Sequence, residues 1–231
     1  MASFHDLPNP RGLDPLYFDR RRSLEGALAW SGLMRPVRLC VDVGANTGQT
    51  LLEFLSWWPQ AHCVSFEPLP EAWEELSRAV SSSDERAVAY PLAISDFSGE
   101  RTLYASHVQP TTSSLREINR SADSISSHRG LRGTQSAFER ADENYEVVVD
   151  VTTLDRHFSH TKGPEAQWLA DGIDILKLDV QGSDLQVLRG ACDTLSKTRV
   201  VLFEWQFDDV YGTPESLAEA DSLLNVSGFR L

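Results

Sequence analysis

Four carboxylates stand where β-prone runs of this chain end, and they are the residues best placed to do chemistry. Asp42 lies in the run 39–43 and leads into Gly44-Ala45-Asn46-Thr47-Gly48. Glu67, followed by Pro68, closes the next such run, 62–67. Asp179 and Glu204 close two later runs, 173–180 and 199–204. After Gly48 the apolar residues Leu51, Leu52, Leu55 and Trp58 recur at helical spacing, so the first segment reads as strand, ligand loop and helix start.

The spacing of that loop selects among ligands. A dinucleotide fingerprint counted from Gly44 requires glycines at 46 and 49, where this chain has Asn46 and Gln49. Asp42 would repel a pyrophosphate but favour an ammonium or sulfonium, and S-adenosylmethionine (SAM) carries both. Gly44 and Gly48 are expected to let the backbone approach the ligand, and Asn46 tolerates a positive φ. An ordinary strand–helix turn with no ligand is the alternative for the loop alone. Glu67 lies 19 residues past Gly48, where a βαβ nucleotide unit places an acid on the ribose hydroxyls. Leu92-Ala93-Ile94-Ser95-Asp96, at the end of a third run, 87–93, lies where adenine passes in a doubly wound sheet. Asp179 and Glu204 are expected on neighbouring strands facing the same crevice. Asp179 would orient or deprotonate a methyl acceptor with Glu204 as its partner, or would instead cap the helix starting near Ser183. Lys177 shares the strand face of Asp179 and could simply neutralise a carboxylate in the sheet. Without a tight Asp/His cluster, no metal site is assigned.

The elements that must position these groups alternate strand and helix. Helical stripes follow at Ala72, Trp73, Leu76, Ala79 and Val80, then at Leu185, Leu188, Ala191, Cys192 and Leu195, and last at Leu217, Ala220 and Leu224 behind Thr213 and Pro214. Short strands are expected at 101–105 and 146–151. The Ser-rich stretch 107–145, with His107 and His128, is too long for a plain connection and reads as a substrate lid or insertion. Residues 1–36, punctuated by prolines, form an N-terminal extension with one amphipathic helix through Leu24, Ala27, Leu28 and Met34, expected on the sheet edge or over the cofactor; residues 37–231 form the main domain.

A length of 231 residues suits one α/β domain with an adequate core. The net charge of −13 argues against binding along nucleic-acid phosphates, and an acidic solvated surface, or a high-salt habitat, accounts for it. No apolar run has membrane-spanning or signal-peptide character, so a soluble cytoplasmic protein is expected. Cys40, Cys63 and Cys192, with no C-x-x-C, read as buried reduced thiols.

With these residues assembled, the chain resembles the FkbM family of SAM-dependent methyltransferases. The matching pieces are 41–48, Phe66-Glu67-Pro68, Ala93-Ile94-Ser95-Asp96, Thr111-Thr112-Ser113-Ser114-Leu115, Val151-Thr152-Thr153-Leu154-Asp155 and 175–191, in the family's order. Gln181 departs from the family, many of whose members have Glu there. The chain also ends near the sixth strand of a fold that normally adds a seventh. The resemblance implies an α/β, Rossmann-like, doubly wound, mostly parallel seven-stranded sheet. It also implies SAM at the carboxyl ends of strands 1 and 2, and O-methylation of a hydroxyl on a small-molecule or glycan acceptor. The cofactor set is then Asp42, Gly44, Ala45, Asn46, Thr47, Gly48, Glu67, Pro68, Ala93, Ile94 and Asp179, with Asp179 and Glu204 catalytic. A nicotinamide oxidoreductase and a non-catalytic SAM-binding relative are the rival readings.

Overall fold

The computed structural model describes residues 20–31, 35–106, 113–117, 144–205 and 215–230. The chain divides into two compact units, Met1–Met34 and Arg35–Leu231. In the first, α1 (Arg20–Trp30) carries Leu24, Ala27 and Leu28, with an Arg21–Glu25 ion pair one turn apart at 2.9 Å. Met34 lies outside the described residues.

The second unit is built on a five-stranded parallel sheet. Its strands are β1 (Leu39–Val43), β2 (His62–Phe66), β3 (Ala87–Tyr90), β7 (Ile173–Leu178) and β8 (Thr198–Phe203), in spatial order β3-β2-β1-β7-β8. The order reverses at β1, and the crevice beyond the carboxyl ends of β1 and β7 is where ligands bind in open α/β sheets. Residues 39–43 and 173–178 are buried throughout, as a central parallel sheet covered on both faces requires. The seven-stranded sheet that the resemblance implies is five-stranded among the described residues. Three further strands, β4 (Ala93–Ile94), β5 (Gly99–Ser106) and β6 (Asn144–Thr152), form a second sheet in the order β4-β6-β5.

The expected strand 87–93 is therefore two strands in two sheets. Pro91 lies between them, and a residue without an N–H cannot continue the ladder. The chain leaves β3 there and re-pairs with β6 through Ala93↔Val151 and Ile94↔Thr152.

Helices α2 (Gln49–Trp57) and α3 (Pro70–Ser81) connect β1 to β2 and β2 to β3. α4 (Leu154–His160) begins at Thr153, whose hydroxyl accepts the Arg156 N–H at 3.0 Å. Asp155, one residue inside that helix, accepts the N–H groups of Asp193 and Thr194 at 3.0 and 2.8 Å. It thereby caps a later four-residue helix, so the Thr-Thr-Leu-Asp motif is a two-helix clamp. α5 (Pro164–Trp168) precedes β7.

Behind β7 the expected single helix is two, α6 (Asp184–Arg189) and α7 (Cys192–Leu195). Gly190 separates them because a Cβ there would lie 2.1 Å from the Ser95 carbonyl oxygen, where another loop crosses. Cys40 and Cys63 are buried, but Cys192 is exposed, since Thr194 and Leu195 take the inner side of its short helix. α8 (Leu217–Val226) is capped by Ser216, and Thr213 and Pro214 lie outside the described residues. No helix among the described residues is long and apolar enough to cross a membrane.

The amino end of the sheet is held by Asp174, which has no exposed surface. Its carboxylate meets the Arg199 and Arg35 guanidinium groups at 2.6 and 3.0 Å. It also accepts the Arg38 and Leu39 N–H groups at 2.7 and 3.1 Å. A buried charge this fully partnered fixes β1 against β7 and β8 at the end opposite the crevice.

Candidate functional site

At the carboxyl end of the sheet an open cavity of about 490 Å³ is lined by the ends of β1, β2, β7 and β8, by β4, and by the 113–115 segment. That volume lies in the range of small-molecule and cofactor sites. Of the residues expected to hold a cofactor, Gly44, Ala45, Asn46, Glu67, Pro68, Ala93, Ile94 and Asp179 line it, as does Glu204; Asp42, Thr47 and Gly48 do not. Leu92, expected beside the adenine, lines it too, and Gln49, Thr50, Phe66, Leu103, Ser113, Ser114 and Leu115 are lining residues that the sequence reading did not single out as ligand contacts. His107 and His128 lie outside the described residues.

Asp42 is enclosed beneath the cavity, with no exposed surface. It stands opposite Lys177 in the β1–β7 register, and parallel neighbours share a face, so the Lys177 ammonium reaches its carboxylate at 3.0 Å. The same ammonium donates to the Gly44 carbonyl at 2.9 Å and lies 3.5 Å from Asp179. Burial works against the Lys177 charge, but Asp42 and Asp179 outweigh it and its pKa lies above the ordinary lysine value. Lys177 is thus a buried hub joining the first loop to the end of β7. The Asp42 charge, expected to face a ligand, is matched inside the protein.

The glycines are also required by the protein's own packing. Gly44 has φ +76°, and a Cβ on it would lie 2.0 Å from the Asp179 carbonyl oxygen, so β7's end passes directly against the loop. Gly48 has φ +91°, and its Cβ would press at 3.1 Å on both Leu76 and Ala79 of α3. Both positions are close crossings of protein on protein, in a conformation glycine adopts at little cost. Asn46 takes φ +48° between them.

Four amides of the loop are committed internally. Gly44 and Ala45 both donate to the Phe66 carbonyl at 3.0 Å, and Gly48 donates to Ala45 at 2.9 Å. Asn46 donates to Glu67 Oε2 at 2.8 Å, and the other oxygen of Glu67 accepts the Leu69 N–H at 2.8 Å. A phosphate loop instead turns such amides toward its ligand. Glu67 therefore laces two turns together while forming part of the cavity wall. Burial pushes its carboxyl up, against the pull of the Leu69 and Asn46 N–H groups.

The opposite wall carries the second acidic pair. β7 and β8 are parallel neighbours, with Leu178 opposite Phe203, which sets Asp179 and Glu204 side by side. The side-chain amide of Gln181 joins them, its Nε2 donating to Asp179 Oδ1 at 2.7 Å and to Glu204 Oε2 at 3.0 Å. Asp179 does not cap the following helix: the Ser183 side chain makes no cap there, and the Leu185 N–H of its first turn is accepted by Glu215 at 3.0 Å. Burial, then the Asp179 charge, raises the Glu204 carboxyl above its ordinary value. The 113–117 segment closes this side. Ser114 exchanges backbone hydrogen bonds with Tyr104 and donates its hydroxyl to the Gln181 carbonyl at 2.7 Å, and Arg116 donates to the Gly182 carbonyl at 2.7 Å.

Behind the wall, Asp184 is 2% exposed, and its Oδ1 has no hydrogen-bond partner among the described residues. Burial, then Asp179, Glu215 and Glu204, pushes its carboxyl well above the ordinary value. A folded-state pKa above the unfolded one gives stability that is present in acid and is lost as pH rises from the unfolded value through the folded one. Asp184→Asn should therefore raise stability at pH 7 by about 1–3 kcal/mol, a gain that vanishes below about pH 4. Urea unfolding at pH 7 and pH 3.5 measures it. A loss at both pH values would show that the ionised carboxylate is needed where it lies.

Among the described residues lining the cavity, Lys177 is the one cation, and it is already paired, whereas Glu67, Asp179 and Glu204 are acidic. Phe66, Leu92, Ile94 and Leu103 supply an apolar wall. The arrangement suits a ligand with a positive charge and a flat apolar group.

Residues 42–231 match the family described as Methyltransferase FkbM domain. The chain is similar to 2-O-methyltransferase NoeI of Sinorhizobium fredii, 26% identical over 179 residues that make up 78% of this chain and 68% of that protein. It is also similar to Methyltransferase sdnD of Sordaria araneosa, 29% identical over 191 residues, 78% of this chain and 71% of that protein. A solved structure, Methyltransferase FkbM from Methylobacillus flagellatus, aligns with TM-score 0.41 at 16% identity, covering 72% of this chain and 32% of that one, so the chain spans about a third of its length. With a family match that runs from the first loop to the last residue, the chain belongs to the FkbM methyltransferases.

Proposed function

We propose that this chain is a SAM-dependent methyltransferase that methylates a hydroxyl on a sugar or other small metabolite. The observation that carries the cofactor assignment is the commitment of the Gly44, Ala45, Asn46 and Gly48 amides to protein acceptors, in a cavity whose free charges are acidic. This favours a cationic nucleoside over the pyrophosphate of a nicotinamide cofactor. Glu67 and Pro68 would flank the ribose, Ala93, Ile94 and Leu92 the adenine, and Asp179 the charged end.

Bound SAM supplies an electrophilic methyl group on a sulfonium centre. The chain's own part is to hold the acceptor hydroxyl in line and to exclude water, a positioning effect worth about 7–11 kcal/mol in favourable cases. A hydroxyl also gives up a proton at or after the transition state. Asp179 is held by Lys177 on one oxygen and by Gln181 on the other, which suits it to orient rather than to accept. No salt bridge reaches Glu204 among the described residues, and burial favours its protonated form. Glu204 is therefore the proton acceptor in this reading, with Asp179 as its fixed neighbour. The 2-O-methyltransferase among the relatives supports a hydroxyl acceptor.

The test is titration of S-adenosylhomocysteine into the wild type and Glu67→Ala. The variant should bind about tenfold or more weakly, since it loses both a wall group and the carboxylate that positions the Asn46 and Leu69 turns. Equal affinity in the two proteins would remove Glu67 from the cofactor site.

A further inference from the structure

Gln181 has two features the fold alone does not require. Its backbone sits at φ +53°, in the left-handed region that costs a residue with a side chain some strain. Its carbonyl is pinned there by the Ser114 hydroxyl at 2.7 Å. That posture aims the side-chain amide between the two carboxylates on the cavity wall. One nitrogen, with two hydrogens, donates to Asp179 at 2.7 Å and to Glu204 at 3.0 Å.

We propose that Gln181 is a positioning residue for methyl transfer: its amide clamps Asp179 and Glu204 side by side and faces both toward the acceptor, taking the place of a bridging cation. The inference rests on the SAM-dependent reading above and goes beyond it by assigning the residue that sets the geometry of the carboxylate pair. A glutamate at this position would place a third acid between two others with Lys177 as the nearby cation, and the pair would separate or take up a proton or a metal ion. With glutamine, two donated hydrogen bonds hold like charges together without either. The groups acting on Glu204 are Asp179, Lys177 and Gln181, and Asp184 interacts with it from the start of α6.

The amide also stabilises ionised Glu204, so its removal has a signature that a loop-supporting role lacks. Gln181→Asn keeps a residue that tolerates the left-handed backbone but is too short to reach both acids. Gln181→Met keeps the length and loses the donors. Carbon-detected NMR titration of the Glu204 side-chain carboxyl in each protein reads the effect without an acceptor substrate. In both variants the Glu204 midpoint should move up by about one pH unit, a tenfold gain in proton affinity. An unchanged midpoint in both folded variants would overturn the proposal. S-adenosylhomocysteine binding by the wild type, measured alongside, reports separately on the cofactor reading: its absence refutes that reading whatever Glu204 does.

Discussion

Lys177→Met should cost about 3–5 kcal/mol of folding stability, the cost of leaving a buried carboxylate without its cation. Asp42 has no exposed surface and faces Lys177 at 3.0 Å across the two central strands, so it has no access to water when the ammonium is removed. The Gly44 carbonyl loses its donor at the same time. The double variant Lys177→Met/Asp42→Leu removes both charges and should recover most of the loss, because an apolar pair of similar volume replaces a buried ion pair at little net cost. Urea unfolding of the single and double variants checks this. A double variant as unstable as the single would mean that the charge itself, not its isolation, supports the fold. Asp42→Ala is the mirror experiment, and its effect on cofactor binding should come through the displaced loop.

Glu204→Gln should lower turnover by about 10²–10⁴-fold, the range associated with loss of a general base, while leaving S-adenosylhomocysteine affinity within about threefold. Glutamine keeps the size and one acceptor oxygen but cannot take a proton. The base works when ionised, and burial together with Asp179 raises its carboxyl above the ordinary value. The acid limb of the wild-type pH–rate profile should therefore lie above the normal carboxylate range, with activity rising as pH passes through it. Asp179→Asn should also impair turnover, but through orientation, and should leave that limb in place. Full activity in Glu204→Gln would clear this residue of a chemical role. A wild type that binds the cofactor and transfers no methyl group to any hydroxyl acceptor would favour a non-catalytic relative.

The layout of the parallel sheet was legible because buried strands such as 39–43 and 173–178 are mostly apolar, each interrupted only by buried charges such as Asp42, Asp174 and Lys177, and because the 3.6-residue stripes between them are clear. The juxtaposition of Asp179 and Glu204 followed from treating two strand ends as neighbours. The role of Asp42 was not legible, since its partner Lys177 lies 135 residues away and cross-strand register is not written in either segment alone. The packing demand on Gly44 was hidden for the same reason: a Cβ there would meet the backbone of Asp179, on a strand far away in sequence. Gln181 read as the loss of a familiar acid, and only the geometry shows an amide between two carboxylates. The break of the third strand had a local signal in Pro91, which has no N–H to donate to a ladder.

Ligand preference is the most direct test of the cofactor assignment. Calorimetric titration of the wild-type protein with SAM and, separately, with NAD should give saturable one-to-one binding of SAM and no heat of binding for NAD. Saturable NAD binding with none for SAM would contradict the account, which takes the Gly44, Ala45, Asn46 and Gly48 amides, held by Phe66, Glu67 and Ala45, as turned away from a pyrophosphate.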